Sequence, residues 1–180
     1  MASLVLKMSV SLDGYVAPSG GSPNWEAAGR SPDGGAWVLE TVSNASAHVM
    51  GATTYAMWAG YWPSAPGPFA NAMNDIPKVV FSNSMTSADW GETTIVSGDL
   101  TEAVTRLKQE NPGGYLLAQG GARFARSLVK AGVIDEYRLV IHPVVLGSGD
   151  RLFTEPLTID PVSTTAFSGG AVAHVFVTHP

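Results

Sequence analysis

Short apolar runs alternate with amphipathic stretches along this chain, and the alternation predicts an α/β fold. Residues 3–10, SLVLKMSV, are apolar and rich in β-formers, and predict a strand. A Gly/Pro/Ser loop follows, DGYVAPSGGSPNW. Residues 36–46 predict a helix carrying Trp37, Val38 and Val42, and AHVMG (47–51) a short buried strand. TTYAMW (53–58) predicts a helical turn with Thr53 or Thr54 as its cap. The stretch GYWPSAPGPFANAMNDIP reads as irregular, with one helical turn near 69–73. KVVFS (78–82) and TTIV (93–96) predict strands. Residues 99–110 form the clearest helix: Asp99 caps, Glu102 completes a capping box, and Leu100, Ala103, Val104 and Leu107 share one face. YLLA (115–118) predicts a strand and 122–131 a helix, with Phe124, Leu128 and Val129 inward. DEYRLVIHPVVLG (135–147) predicts a strand, and VSTTAFSGGAVAHVFVTH a hairpin turning near Gly169–Gly170.

Strands alternate with helices and then come alone. The expected architecture is one domain over 1–180: a mainly parallel sheet, helices on both faces and an antiparallel C-terminal hairpin. No repeat or linker divides the chain.

Composition narrows the function classes. Apolar residues make up 45% and charged residues 14%, against roughly 25% charged in an average soluble protein. That leaves a large core or an apolar subunit interface as readings. A net charge of −5, with 10 scattered basic residues, argues against a nucleic-acid partner. The absence of cysteine excludes disulfides, thiolate zinc sites and cysteine nucleophiles. MASLVLKMSV is too short an apolar stretch for a signal peptide and is broken by Lys7. No apolar run approaches the ~20 residues that span a bilayer, so a cytoplasmic protein without a membrane partner is expected.

Familiar chemical motifs are missing. The chain has no GKS or GKT ending of a P-loop and no G-x-S-x-G elbow; GSGDRL (147–152) carries Leu152 in place of a third glycine. His48, His142, His174 and His179 lack ligand spacing, so no metal is expected. So few acid–base groups favour chemistry carried by a cofactor.

One feature invites an anion. Gly120–Gly121 ends an apolar run where a helix begins, and unpaired amides at a helix start attract phosphate. A tight turn requiring positive φ is the plain alternative.

The order of features resembles the dihydrofolate reductase-like superfamily. It is most similar to the reductase domain at the C-terminus of the bifunctional riboflavin-biosynthesis deaminase-reductase. MSVSLDGYVA (8–17) resembles the S-L-D-G-x-x-A signature, and GGSPNW (20–25) the loop ending in tryptophan. HVMGATTYAMW (48–58) is similar to the strand and its G-R-x-T turn, and PKVVFSNS (77–84) to the P-K-x-V-x-S strand. GGARFARSLVKAGVIDEYRLVIHPVVLGSGDRLF (120–153) resembles the longest signature.

The resemblance implies an NADPH-dependent oxidoreductase, with NADH as the alternative cofactor. Hydride would pass to a C=N or C=O bond of a small heterocyclic or sugar-derived substrate. A 5-amino-6-(5-phosphoribosylamino)uracil reductase-like activity in riboflavin biosynthesis is the named case; a dinucleotide-binding module or sensor without turnover is the rival. It implies Val16 and Ala17 near the nicotinamide. Gly51, Thr53 and Thr54 would stand at a helix start meeting the pyrophosphate, with Thr54 as cap. Ser82 and Asn83 would lie beside the adenosine, and Gly120, Gly121, Ala122, Arg123 and Phe124 across the pyrophosphate. On this view the glycine pair clears room for the dinucleotide rather than serving the core, and a non-proline cis peptide is expected at Gln119–Gly120 or Gly120–Gly121. Asp33 is the candidate proton donor, with an ordinary turn and helix cap in SPDGG as the plain alternative, and Asp13 both shapes the first loop and lines the substrate site. Ala52 replaces the family's usual arginine, which weakens the preference for NADPH over NADH unless Lys78, Arg123 or Arg126 substitutes. The family's habit and the low charge also imply a homodimer.

Overall fold

The N-terminal run Ser3–Ser11 becomes β1, in the interior of an eight-stranded sheet. A computed structural model describes residues 1–20 and 24–178. Part of the GGSPNW loop and His179 therefore lie outside the described residues. After β1 come β2 (Tyr15–Pro18), α1 (Pro32–Ser43), β3 (Ala45–Gly51), α2 (Ala52–Ala59), α3 (Pro68–Asp75), β4 (Lys78–Phe81) and β5 (Thr93–Val96). Then follow α4 (Leu100–Glu110), β6 (Tyr115–Gln119), α5 (Ala122–Lys130), β7 (Glu136–His142), β8 (Gly149–Arg151), β9 (Ile159–Ala166) and β10 (Val172–Thr178).

The sheet order is β5-β4-β3-β6-β1-β7-β10-β9. Neighbours from β5 to β7 pair parallel, and β7, β10 and β9 pair antiparallel. This is the α/β architecture expected from the alternation of elements, with the C-terminal hairpin closing one side. Separately, β2 and β8 pair into a small antiparallel ribbon.

Side chains alternate across the sheet. Leu4, Leu6 and Met8 of β1 pack with Val104 and Leu107 of α4 and Leu128 of α5. Val5 faces the other side, with Val42 of α1, Tyr55 of α2 and Met73 of α3. By the same alternation Lys7 and Ser9 point to the α1–α3 side. Strand β6 stops at Gln119, level with Lys7, while β1 runs on beside β7 until Ser11 meets His142. The sheet face beyond the end of β6 is thus left open.

Local differences from the sequence reading have local causes. Helix α1 begins at Pro32, ahead of residue 36, because Ser31 caps it by accepting from Gly34 N, and proline is favoured at a first helical position. The 53–58 turn is a full helix capped by Gly51, and neither Thr53 nor Thr54 caps it. Strand β7 ends at His142 instead of continuing to 147, since Pro143 lacks the amide a ladder needs. Asp99 does cap α4, accepting from Glu102 N at 2.9 Å. Among the described residues no helix is long and apolar enough to cross a membrane.

Candidate active site

Two adjoining hollows, about 500 and 510 Å³, share the walls Lys7, Ser9, Glu26, Trp62 and Phe69. They form one cleft over the open face at the ends of β1 and β6. The first half is bounded by Val16, Ala17 and the turn Gln119–Ala122. The second is bounded by Ser31, Gly34, Gly35 and Val38 of the α1 face, by His142, and by Phe167 of the C-terminal hairpin turn.

At the glycine turn both residues adopt left-handed backbone, with φ +68° at Gly120 and +72° at Gly121. All described peptide bonds are trans, so the expected cis bond is absent and the positive φ values make the turn instead. A Cβ on Gly120 would stand 2.9 Å from Trp58 Cζ2, and one on Gly121 2.5 Å from Thr54 Oγ1. The packing of α2 therefore demands glycine at both positions by itself. That corrects the expectation that the pair served only a ligand. What the turn leaves toward the cleft is backbone. Helices α2 and α5 both start here, with Gly51 and Gly121 as N-caps and no side-chain cap on either. Unsatisfied first-turn amides at two neighbouring helix starts suit a phosphate.

The remaining expected residues divide by position. Val16, Ala17, Gly120, Gly121 and Ala122 line the cleft. Thr54 is buried against Gly121, and Thr53 is exposed. Gly51 packs against Phe124, whose ring meets Phe81 at 5.3 Å, so Phe124 buttresses the turn from behind. Ser82 Oγ accepts from Ser84 N and Met85 N, and Asn83 Oδ1 accepts from Gly98 N at 3.1 Å. Both side chains shape the loop after β4. Arg123 is exposed on the first turn of α5. Of the other substitute cations, Lys78 is buried, donating to Asn74 O and covering Trp90, and Arg126 pairs with Asp150 at 2.7 Å.

Neither of the two aspartates lines the hollows. Asp33 accepts from Ser168 N at 2.8 Å and Ser168 Oγ at 2.7 Å, tying α1 to the hairpin turn. Hydrogen bonds from the Ser31 hydroxyl and Ser168 hold its carboxyl well below the usual carboxylate range, so an ionised Asp33 has no proton to give. Asp13 accepts from Ser11 Oγ, Leu146 N and Gly147 N, which fixes the first loop to the segment before β8. The Ser11 hydroxyl and then those amides lower its pKa to about 2. Its loop-shaping role is visible; no contact carries it into the cleft.

The central charges are Lys7 and Glu26. Burial pushes the Lys7 ammonium pKa down, offset in part by the Glu26 carboxylate. Glu26 is presented by a single 3-10 turn, Trp25–Ala27. Beside it the Trp25 ring meets His142 edge-on at 5.4 Å, and His142 Nδ1 donates to Ala28 O at 2.8 Å. Sequence reasoning passed over Lys7, Glu26 and His142. The available signal was the lysine inside LVLKMSV, a charge in a strand otherwise buried on both faces.

The model of the RibD C-terminal domain family matches residues 2–173. YyaP, an uncharacterized protein of Bacillus subtilis (strain 168), is 29% identical over 181 residues, 96% of this chain and 93% of its own. A protein of Shewanella sp. PV-4 superposes with a TM-score of 0.77 at 22% identity, over 99% of both chains. The diaminohydroxyphosphoribosylaminopyrimidine deaminase/5-amino-6-(5-phosphoribosylamino)uracil reductase of Thermotoga maritima superposes with a TM-score of 0.69 at 17% identity, over 99% of this chain and 57% of that one. At these identities the likeness to solved structures is one of fold.

Proposed function

Because the chain belongs to the RibD C-terminal domain family, we propose that its cleft reduces a C=N or C=O bond of a small heterocyclic or sugar-derived substrate with a dihydronicotinamide dinucleotide. The carrying observation is the union, in one cleft, of an amide-rich glycine turn with a desolvated Lys7 beside Glu26. The uncapped starts of α2 and α5 hold the pyrophosphate through their amides, and Val16 and Ala17 flank the nicotinamide. Ser82 and Asn83, in the loop after β4, and Arg123, exposed on the first turn of α5, serve the adenosine half. When bound, the cofactor supplies hydride to the substrate carbon.

The protein then has to supply one proton to the neighbouring nitrogen or oxygen. Lys7 is suited to that task. Burial moves its pKa down from the ordinary lysine value, in the direction a general acid near neutral pH requires, and the Glu26 carboxylate opposes that shift. Val16 and Ala17, on the segment that Asp13 pins, wall the cleft against competing water. Ala52 leaves Arg123 as the cation closest in sequence to the α5 start, so discrimination between NADPH and NADH is weak. A full charge-assisted contact contributes about 1.5–3 kcal/mol, or roughly tenfold or more in affinity.

Fluorescence titration with NADPH and NADH tests the reading, followed by turnover of 5-amino-6-(5-phosphoribosylamino)uracil and related pyrimidines and pteridines. Binding of both nucleotides within about tenfold of each other is expected, with Arg123→Ala narrowing the gap. Failure of either to bind at millimolar concentration overturns the proposal. Binding without turnover of any heterocycle favours a dinucleotide-binding sensor.

A further inference from the structure

Helix α1 carries two glycines in its first turn, Gly34 and Gly35. Each weakens a helix relative to alanine, so each calls for a reason. Gly34 has one in the protein: a Cβ there would stand 3.2 Å from Ser31 Oγ and 3.3 Å from the Phe167 ring. Gly35 has none. Its φ is not positive, and a Cβ built on it meets nothing within 4 Å. Yet Gly35 belongs to the stripe Ser31, Gly34, Gly35, Val38, spaced i, i+3, i+4, i+7, which walls the second half of the cleft. Gly35 is exposed, and it offers this half of the cleft backbone alone.

A second observation points to the same space. Lys7 lines this half as well, desolvated, and makes no hydrogen bond or ion pair within 4 Å among the described residues. Lys7 is half-buried and faces the hollow with Glu26 as its charged neighbour, and its ammonium hydrogens are left for a polar ligand atom. The facing walls are aromatic, Trp62, Phe69 and Phe167.

We propose that Gly35 is a specificity-determining position, and that a flat heteroaromatic ring lies against the bare backbone of α1 there, its polar edge turned to Lys7 and Glu26. This rests on the reductase reading for its role in catalysis, but the binding claim is tested separately. Any side chain at residue 35 occupies part of the slot, so the identity of that residue sets how wide a ring the site accepts.

The test compares the parent with Gly35→Ala and, as a larger plug, Gly35→Leu. Binding of 5,6-diaminouracil and 7,8-dihydropterin is measured by ligand-observed NMR, with and without NADPH, beside thermal melts and NADPH titration. Gly35→Ala is expected to raise Tm by about 2–4 °C, because alanine favours the helix. It should weaken both heterocycles by roughly tenfold and leave the NADPH dissociation constant within twofold. Gly35→Leu should abolish heterocycle binding in a folded protein. Unchanged heterocycle affinity in both variants overturns the assignment of Gly35, and a parent that binds neither ring overturns the ligand class. A parent that binds the rings but not NADPH leaves this inference standing and removes the reductase reading.

Discussion

Replacing Gly121 with alanine measures why that position lacks a side chain. At φ +72° a non-glycine residue pays a left-handed backbone penalty of about 1–2 kcal/mol. The added methyl would also stand 2.5 Å from Thr54 Oγ1. Thr54 is 5% exposed, so relief means turning a buried side chain or shifting α2. Overpacking of this kind costs about 1–3 kcal/mol. The two effects sum to about 2–5 kcal/mol, which for a chain of this length lowers Tm by roughly 5–15 °C. In a Thr54→Ala background the contact is gone and only the backbone penalty of about 1–2 kcal/mol remains. Urea denaturation followed by tryptophan fluorescence, on the parent, both single variants and the double variant, gives a coupling of at least about 1 kcal/mol. An equal loss in both backgrounds would refute the packing account of this glycine, as would a single-variant loss under about 0.5 kcal/mol. NADPH titration of the folded Gly121→Ala protein adds a second answer. Undiminished affinity there means that the turn serves packing alone.

Three further outcomes are expected. Lys7→Met should lower kcat by about 100-fold or more, the usual scale for a lost general acid, with NADPH affinity unchanged. The folded pKa of Lys7 lies below its ordinary value, so the unfolded chain binds more protons in that interval and the parent gains stability as pH rises through it. Lys7→Met should therefore melt higher than the parent at neutral pH, and a lower melt contradicts the desolvation. Asp13, ordinarily near 3.8 and lowered to about 2, contributes stability that is present above pH 4 and lost as pH falls through 2. Asp13→Asn should remove that acid-limb dependence and make the 143–148 segment more sensitive to limited proteolysis. Finally, we propose a homodimer, motivated by exposed Val145, Leu157 and Val162. Light scattering that reports one chain mass at micromolar concentration would oppose it.

Periodicity along the chain determined the element types and the fold class, because burying one face imposes a period of two on strands and near 3.6 on helices. The Asp99 cap of α4 and the turn of the C-terminal hairpin were readable for the same reason: their causes lie within a few residues. The family resemblance pointed to Val16, Ala17 and Gly120–Ala122 as cofactor-binding residues, which the structure places in the lining of the cleft, and the glycine turn was legible as a strand-to-helix junction. Its physical reason was not, since Thr54 and Trp58 come from an element some 65 residues earlier and meet the glycines only after β6 inserts between β3 and β1. Asp33 read as a free acid because Ser168, which occupies it, lies 135 residues away. The Lys7–Glu26–His142 floor was likewise a product of register: β1 outruns β6, β7 brings His142 level with Ser11, and a 3-10 turn drops Glu26 beside them. A sequence states which side chains alternate inward, but the lengths of neighbouring strands decide where the sheet is left uncovered, and a cleft opens only there.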